Sequence, residues 1–350
     1  MLNKNMKRDS SDRKKQVHQK MDRIRSEKDE IKGSLGRDSL YAKIMTRIGI
    51  PVIVSYILVG ILVLMLVYSS VTSLTERELA LESRLSSREL EMYLNTYFEK
   101  ATQLSHSESL QKLFENVKKG DKIETVNGFA DVKKTMENIR ASSDDNLTAI
   151  FIADVDTSQV ATDDGTIVRL DSGWDINERA WYKSLLTKNA AIISDPYIDT
   201  GTGLQCVTVV APVYDKEGKL TGAVGIDFNL EKLSGMVGEM KLRNTGFFVL
   251  TTESGQMIYN PDPELIDTNI KEKDLDPKIK EAALNAIEGN VKYKSAEGKT
   301  IYSYVSPIGD TGWTITAGLP MAEFNQAFNK VTTLLLIAFL VAIAVLVMTI

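Results

Sequence analysis

The sequence is poor in the residue types that most enzymes and metalloproteins depend on. Its 350 residues include one cysteine and two histidines. Cys206 has no second cysteine with which to form an intramolecular disulfide, and neither His18 nor His106 lies near a plausible nucleophile. No spacing of histidine and cysteine resembles a metal site. We therefore predict no catalytic residue, no metal ligand and no cofactor, and we expect Cys206 to be a small buried apolar side chain.

One repeated pattern invites a catalytic interpretation. The triplet Asp-Thr-Gly occurs at 199–201 and again at 310–312. Two-lobed aspartic proteases need each such aspartate buried at the end of an apolar strand, where the two carboxylates share a proton. The second triplet instead falls in a predicted hairpin turn, and the Gly-Thr-Gly after Asp199 is typical of a turn rather than of a phosphate-binding loop. The pattern therefore favours turns over catalysis.

Charge is absent from two long apolar runs. Residues 48–71 and 332–350 contain no Asp, Glu, Lys or Arg. As helices they would be roughly 36 Å and 28 Å long, enough to cross a bilayer. The first run is too long for the apolar core of a cleavable signal, and no small-residue cleavage site precedes a mature chain. A buried helix of a soluble protein is the alternative for each run, but length and lack of charge favour two transmembrane helices.

The two signs of charge are unevenly distributed. The first 47 residues hold 14 of the 42 basic side chains and 7 of the 47 acidic ones, whereas the other 303 residues hold 28 and 40. The positive-inside rule places the basic tail in the cytoplasm, beside anionic lipid headgroups, and residues 72–331 outside it. The chain ends inside an apolar run without a basic anchor, so we expect a partial chain whose output domain is missing; a tail anchor is the alternative.

Proline and glycine are both absent from residues 72–119. Apolar side chains recur there at helical spacing, which predicts one long helix, followed by a second helix at about 122–142. We expect the long helix to mediate homodimer formation. The short apolar segments after Leu147 alternate with Asp-Gly, Glu-Gly and Ser-Gly turns and repeat in two halves.

These patterns predict an α+β fold of two stacked antiparallel-sheet modules with helical flanks. The expected divisions are a basic tail (1–47), two transmembrane helices (48–71 and 332–350) and an initial helical part (72–143). Two sheet modules complete the chain, one distal to the membrane (144–240) and one proximal to it (241–331).

Aromatic residues make up 7% of the chain, yet four of them surround one arginine. Arg179, on a helix predicted at about 178–187, has a planar fork of donors that suits a carboxylate. Aspartates on or near adjacent strand ends would suit an ammonium group, and aromatic walls stabilise a cation. Ordinary core packing with surface ion pairs explains the same residues, so both interpretations stay open. The aromatic residues are Trp174, Trp181, Tyr182 and Tyr197, and the aspartates are Asp199 and Asp227.

The chain resembles the extracytoplasmic half of a bacterial chemoreceptor, a methyl-accepting chemotaxis protein with a double Cache sensor domain. The resemblance rests on two membrane segments that bracket about 260 residues, on the long first helix, on two PAS-like modules, and on the segments "ERAWYKSLL", "ISDPYID" and "GAVGIDF". It covers most of residues 72–331 and implies a two-pass protein of the cytoplasmic membrane whose sensor domain binds a small molecule.

Within that family, an amino-acid-binding subset has an Arg-x-Trp-Tyr helix, a Tyr-x-Asp element and a later aspartate. The resemblance implies that Arg179 and Trp181 hold the ligand carboxylate and that Asp227 receives the ammonium group. Tyr182 matches the adjoining aromatic, and Tyr197 and Asp199 match the Tyr-x-Asp pair. One position departs from the subset: it has a tyrosine five residues before the arginine, where this chain has Trp174, whose indole has no acceptor for an ammonium group.

The resemblance implies a sensor of an L-amino acid or related zwitterion, which signals through the second transmembrane helix to cytoplasmic partners in the missing region. The alternatives are the input region of a sensor histidine kinase or diguanylate cyclase, an amine sensor, and an ectodomain without a ligand. A nucleic-acid partner is not expected.

Overall fold

The computed structural model describes residues 17–30, 42–199, 203, 205–295 and 297–349. The chain divides into two compact units. One unit comprises the residues before Thr72 and after Asn325, and the other comprises Thr72–Asn325.

The first unit is helical. Residues 17–30 form α1. A π-helical turn at Met45–Gly49 leads into α2 (Ile50–Ser105), and the chain ends in α8 (Met321–Thr349). Among the described residues, two helices are long and apolar enough to cross a membrane, judged by length and composition.

Aromatic side chains join the apolar parts of α2 and α8. Gly60 has no side chain, and a Cβ atom built there would lie 2.8 Å from the Phe339 ring. Tyr56 meets the same ring edge-on with centroids 6.4 Å apart, and Tyr68 meets Phe328 at 5.3 Å. A larger residue at Gly60 would therefore push against Phe339.

The second unit begins with helices that differ from the predicted ones. The single helix expected through residue 119 is wrong, because α2 ends at Ser105 and a separate α3 covers Glu108–Asn116. Ser107 caps this new helix, with its side chain accepting the Leu110 N–H. The helix expected at about 122–142 is shorter: a 3-10 turn at Ile123–Thr125 precedes α4 (Phe129–Ala141).

The face that α2 presents to the domain changes along its length. Four apolar residues that repeat at helical spacing are exposed, and five that follow or interleave with them are buried. The exposed stripe is therefore available on the outside of the second unit, and the buried side packs on the sheets. The exposed residues are Leu74, Leu81, Leu85 and Met92, and the buried ones are Leu90, Leu94, Tyr97, Ala101 and Leu104.

The first sheet has seven antiparallel strands in the order β3-β2-β1-β7-β6-β4, with β5 also paired to β6. The two ten-residue strands β6 and β7 form its centre. Two helices accompany it: α5 (Ala180–Lys188) precedes β4, and α6 (Leu230–Glu239) follows β7. The strands are β1 (Leu147–Asp154), β2 (Gln159–Thr162), β3 (Ile167–Val168), β4 (Ile192–Ile193), β5 (Tyr197–Ile198), β6 (Gln205–Tyr214) and β7 (Leu220–Asn229).

The second sheet has five antiparallel strands in the order β10-β11-β12-β8-β9. Its helix α7 (Pro277–Leu284) lies between β9 and β10 and is capped by Asp276. The Asp-Thr-Gly triplet at 310–312 lies in the turn between β11 and β12, as predicted. Thr200 and Gly201 of the first triplet lie outside the described residues. The strands are β8 (Phe247–Thr251), β9 (Met257–Tyr259), β10 (Gly289–Lys294), β11 (Thr300–Pro307) and β12 (Thr314–Pro320).

One large core cluster includes residues of α2, of both sheets and of α6. A second cluster lies on the opposite face of the first sheet, under α5. The predicted α+β class with two antiparallel sheets on a long helix is therefore confirmed. The candidate site lies on the face of the first sheet that carries the second cluster.

Candidate ligand-binding site

Arg179 stands at the beginning of α5 rather than inside it. Its backbone is extended (φ −76°, ψ 129°), and the 3-10 turn Ile176–Glu178 ends immediately before it. The helix predicted from about 178 therefore begins two residues later, at Ala180, and Arg179 is its N-cap residue. The Arg179 side chain extends from the N-cap position of α5, where the backbone is not helical and the rotamer restrictions of a helix do not apply.

The Arg179 guanidinium is held against Trp174. Its centre lies 5.6 Å from the centroid of that ring, a cation–π distance. Its Nε donates a hydrogen bond to the Asp175 backbone oxygen at 3.1 Å, and its Nη2 lies 4.0 Å from a Glu178 carboxylate oxygen. The side chain is 27% exposed. These contacts orient the guanidinium. Because the group has five N–H donors, several of them remain available for a ligand carboxylate.

Trp181 and Tyr182 pack inward from α5. Each is 5% exposed, and the two rings meet edge-on with centroids 6.0 Å apart. Trp181 also lies 5.5 Å from the Phe151 ring on β1. Both belong to the second core cluster, with Trp174 packed on its edge. Their apolar packing positions α5, and with it Arg179, over the sheet.

The sheet face beneath α5 carries Phe151 and Asp227 in neighbouring rows. Phe151 pairs with Gly225 on β7, and Asp227 follows two residues later on the same face. A Cβ atom at Gly225 would lie 2.0 Å from the Phe151 ring, so only glycine allows that ring to lie across β7. Substitution of Gly225 would force the Phe151 ring away from this position.

Asp227 is a buried carboxyl group. It is 4% exposed and lies opposite Thr208 on β6. Thr208 Oγ1 donates a hydrogen bond to Asp227 Oδ1 at 2.6 Å, and the Tyr197 hydroxyl donates one to the same oxygen at 3.2 Å. Burial raises the pKa of Asp227 to about 7, and the nearby Asp199 carboxylate adds to the rise. The site therefore contains a carboxyl group that a cationic ligand would convert to its charged form.

Tyr197 and Cys206 lie beside that carboxyl group on paired strands. Tyr197 pairs with Cys206 across β5 and β6. Burial raises the pKa of both groups, that of the Cys206 thiol to about 12, and the Asp227 carboxylate contributes to each. Cys206 is 1% exposed, as expected for a small buried side chain. The thiol is therefore protonated and unreactive at neutral pH.

The predicted residues thus form two groups on one side of the first sheet. Arg179 and Trp174 contact each other at the start of α5, and Tyr197 and Asp227 contact each other on the sheet. Asp199 follows β5, and β6 lies between β5 and β7, so the two predicted aspartates are not on neighbouring strands, although the Asp199 carboxylate is close enough to raise the pKa of Asp227. Trp181 on α5 packs against Phe151 on β1, which lies on the same sheet face as Asp227.

Sequence reasoning missed Phe151, Ser194 and Thr208. Thr208 lies in the run "LQCVTVVAPV", where one threonine among apolar residues is typical of an ordinary β-strand and does not indicate a site. The only signal was positional: Cys206, Thr208 and Val210 alternate onto one face of β6. Among the residues that the structure describes, no group of three His, Cys, Asp or Glu side chains could hold a metal ion.

Comparison with known proteins gives one family and several relatives. The Cache domain family, dCache_1, matches residues 68–328. The chain is 28% identical over 99 residues to the methyl-accepting chemotaxis protein PscA of Pseudomonas syringae, and 26% identical over 202 residues to the methyl-accepting chemotaxis protein TlpB of Bacillus subtilis. These matches cover 28% and 57% of this chain but only 16% and 28% of the two relatives. The chain therefore matches less than a third of the length of either relative.

Solved structures share the fold at low sequence identity. The sensory domain of the Campylobacter jejuni chemoreceptor Tlp3 with isoleucine bound has a TM-score of 0.55 at 16% identity, covering 74% of this chain and 97% of that one. The ligand-binding domain of the Pseudomonas fluorescens chemoreceptor CtaA with L-isoleucine has a TM-score of 0.54 at 17% identity, covering 73% and 96%. An extracellular domain assigned to a histidine kinase, mmHK1S-Z3, has a TM-score of 0.58 at 14% identity, covering 73% and 97%.

Proposed function

The chain belongs to the Cache domain family, and on that premise we propose that it is the sensor region of a membrane-bound chemotaxis receptor that binds an L-amino acid or a related small zwitterion. The observation that carries the proposal is that an oriented cation and a buried carboxyl group belong to the same side of the first sheet. Arg179 is oriented at the start of α5, and Asp227 is buried on β7, on the sheet face that carries the aromatic cluster under α5. A zwitterion has the complementary pair of charges.

The two ends of the site have different chemistry. Arg179 offers N–H donors in a plane and would bind the ligand carboxylate through charge-assisted hydrogen bonds. Asp227 would bind the ammonium group, with Asp199 adding negative potential nearby. Phe151 and Trp181 pack on the same face of the sheet and would contact the aliphatic part of the ligand. Two solved chemoreceptor domains of the same fold contain isoleucine, which supports an amino acid as the ligand class.

Thermal stabilisation by matched ligands tests the ligand class. A free amino acid such as L-isoleucine should raise the unfolding temperature of the sensor domain, whereas 2-methylbutylamine, its decarboxylated counterpart, should raise it far less, since only the acid engages Arg179. A ligand at 100 times its dissociation constant adds about 2.7 kcal/mol to the free energy of unfolding. Differential scanning calorimetry with the twenty L-amino acids and their available amines gives the answer. Equal stabilisation by amine and acid would assign the chain to the amine sensors.

A second candidate function has its own support. Extracellular domains assigned to histidine kinases are among the solved structures with this fold. The same input could therefore control a kinase. All five curated relatives are methyl-accepting chemotaxis proteins, which favours chemotaxis. A phosphoacceptor histidine helix with an ATP-binding domain in the full-length protein would favour the kinase, and a long helical region with methylation sites would favour the receptor.

We further propose that α2 and α8 cross the cytoplasmic membrane, that Thr72–Asn325 lies outside the cytoplasm, and that two copies associate through the exposed stripe on α2. The apolar helices and the basic N-terminal tail support the first two proposals. Leu74, Leu81, Leu85 and Met92 support the third, because an apolar stripe on a long helix is typical of helix pairing. The signal would leave through α8, which begins directly after β12, and would reach cytoplasmic partners.

Two single-cysteine variants test the membrane topology and the association of two copies together. In a Cys206→Ala background, Leu81→Cys should form a disulfide-linked dimer in intact cells, because the compartment outside the cytoplasm is oxidising. Ser295→Cys is the control, expected to react with a membrane-impermeant maleimide without forming the dimer. Labelling of Leu81→Cys without a dimer would reject the pairing. If neither cysteine reacts from outside while both react in lysed cells, the proposed topology is wrong.

A further inference from the structure

Two hydroxyl groups meet at one oxygen of the Asp227 carboxyl group. Thr208 Oγ1 donates to Asp227 Oδ1 at 2.6 Å, and the Tyr197 hydroxyl lies 2.7 Å from Thr208 Oγ1 and 3.2 Å from the same Oδ1. Thr208 is fully buried, and its backbone N–H donates to Ser194 Oγ at 3.0 Å. Thr208 is therefore held by hydrogen bonds both at its backbone N–H and at its hydroxyl.

Counting protons gives the direction of these bonds. A threonine hydroxyl has one hydrogen and two acceptor lone pairs. The Thr208 hydrogen is used in the shorter bond to the carboxylate, so Tyr197 is the donor in the contact with Thr208 Oγ1, and its one hydrogen is shared between Oγ1 and the more distant Asp227 Oδ1. The two O–H groups thus form a chain that ends on Oδ1. Both hydrogen bonds that described residues make to the Asp227 side chain end on Oδ1, which gives Oδ2 the capacity for a further partner.

We propose that Thr208 is a positioning residue of the ligand site, whose hydroxyl holds Oδ1 so that Asp227 presents Oδ2, and with it the negative charge, to the ammonium group of the ligand. This inference rests on the proposed function and deepens it. Because the hydroxyls of Thr208 and Tyr197 both point at Oδ1, the proton of an uncharged Asp227 carboxyl group lies on Oδ2. When the ligand binds, that proton leaves to solvent and the ligand ammonium group takes its place at Oδ2.

The other groups around Asp227 explain why a hydroxyl is needed there. The titratable side chains that face it are Tyr197 on β5, Cys206 on β6, Asp199 after β5 and Asp163 after β2. Burial raises the pKa of Asp227, and the carboxylates of Asp199 and Asp163 raise it further. The hydroxyls of Thr208 and Tyr197 lower it. Without the Thr208 hydroxyl, the charged form would lose its closest donor and would form only at higher pH.

Infrared spectroscopy on the full chain in lipid nanodiscs tests this without a ligand. The difference between each protein and its Asp227→Asn counterpart isolates the Asp227 carboxyl band, which is followed from pH 5 to 9. Thr208→Val should raise the midpoint of ionisation by about one pH unit, because a hydrogen bond to the charged form favours that form. Thr208→Ser should restore the midpoint. Thr208→Ala provides a second hydroxyl-free variant if the valine fails to fold.

Thr221→Val is the matched control. It removes another buried hydroxyl from the first sheet, one that donates to the Val213 carbonyl and does not contact Asp227. Its midpoint should equal that of the wild type. An unchanged midpoint in both hydroxyl-free Thr208 variants would overturn the proposal.

Binding of L-isoleucine as the probe provides the second readout. If the midpoint moves by one unit, the wild type should bind about 10-fold more tightly than Thr208→Val at pH 6 and nearly equally at pH 9, since only charged Asp227 binds the ammonium group. A ratio that does not change with pH would make Thr208 merely structural and overturn the proposal. A third outcome separates the two proposals: no L-amino acid binds the wild type, but the infrared midpoint moves as expected. The proposed ligand class is then wrong, whereas the effect of the Thr208 hydroxyl on the ionisation of Asp227 is confirmed.

Discussion

Arg179→Ala is expected to weaken binding of an L-amino acid by roughly 10- to 150-fold. A hydrogen bond to a charged group contributes about 1.5–3 kcal/mol, which corresponds to that range. The side chain is oriented in advance by the Trp174 ring and the Asp175 backbone oxygen, so little freedom is lost when a carboxylate binds. The fold should survive, because the side chain is 27% exposed and lies outside the apolar core. Titration calorimetry at pH 8 measures the change.

Asp227→Asn should weaken binding by a similar factor. The amide keeps the shape of the side chain and still accepts the hydroxyls of Thr208 and Tyr197, but the ammonium group loses its counter-charge in a buried site. Lys183→Ala is the matched control for the arginine, because it removes an exposed cation from the same helix. If Arg179→Ala and Asp227→Asn both bind as tightly as the wild type, the aromatic–arginine cluster only packs the core and the site assignment is wrong.

The same Asp227→Asn substitution should stabilise the domain without ligand, by up to about 4 kcal/mol at pH 8. The pKa of Asp227 rises from the model-peptide value of 3.8 to about 7 on folding, and each pKa unit corresponds to about 1.36 kcal/mol. The folded state therefore binds this proton more tightly than the unfolded state. Stability from this group is complete below about pH 4, falls as the pH rises through 7 and is lost above it. Asparagine has no charge to desolvate, so it avoids that loss.

Urea unfolding at pH 4.5, 6 and 8 tests this expectation. The stability difference between Asp227→Asn and the wild type should be small at pH 4.5 and largest at pH 8. Asp163→Asn is the comparison: this buried carboxylate accepts the Ile150 N–H at 2.8 Å and lies 3.8 Å from Arg140, so the loss of these contacts should outweigh the lower pKa that the variant gives Asp227, and the protein should not gain stability. Destabilisation by Asp227→Asn at pH 8 would mean that the carboxylate supports the fold rather than a ligand.

A residue that destabilises the empty domain and strengthens binding is typical of a functional site. In this chain the negative charge of Asp227 would both destabilise the empty domain, because it is buried, and bind the ammonium group of the ligand. The ligand would remove the desolvation penalty by supplying the opposite charge. This links the affinity loss and the stability gain expected for a single variant.

Local sequence patterns were sufficient for the two sheets. β1 lies where the apolar segment after Leu147 predicts a strand, and the turn residues Asp164-Gly165 and Ser254-Gly255 separate paired strands as expected. These features depend on neighbours along the chain, and so they can be seen in the sequence. The two sheets also repeat the same turn chemistry, which made the modular arrangement predictable.

The helix boundaries depended on contacts that periodicity does not reveal. The long helix was extended too far because Gly and Pro were absent, whereas the break at Ser107 comes from a side-chain cap. Arg179 was placed inside a helix because its neighbours fit one, but the preceding 3-10 turn leaves it extended. That difference matters, since it turns the guanidinium toward Trp174 instead of along the helix surface.

The candidate site residues were singled out by their clustering in the sequence and by the resemblance, whereas their burial and electrostatics could not be predicted from the sequence. Nothing local distinguishes Asp227 from a surface aspartate, and only its pairing with Thr208 across β6 shows that it is buried. Thr208 itself carries no sequence signal beyond its position. Long-range strand pairing therefore determines the burial of the carboxyl group that we propose binds the ligand ammonium.

The most direct measurement of the proposed site is a cycle of four affinities, those of L-isoleucine and 2-methylbutylamine for the wild type and for Arg179→Ala. If Arg179 binds the ligand carboxylate, the wild type should prefer the acid, and Arg179→Ala should lose that preference, with a coupling energy on the order of 1.5–3 kcal/mol. If the preference for the acid persists in Arg179→Ala, the carboxylate is bound elsewhere and the assignment of Arg179 is wrong.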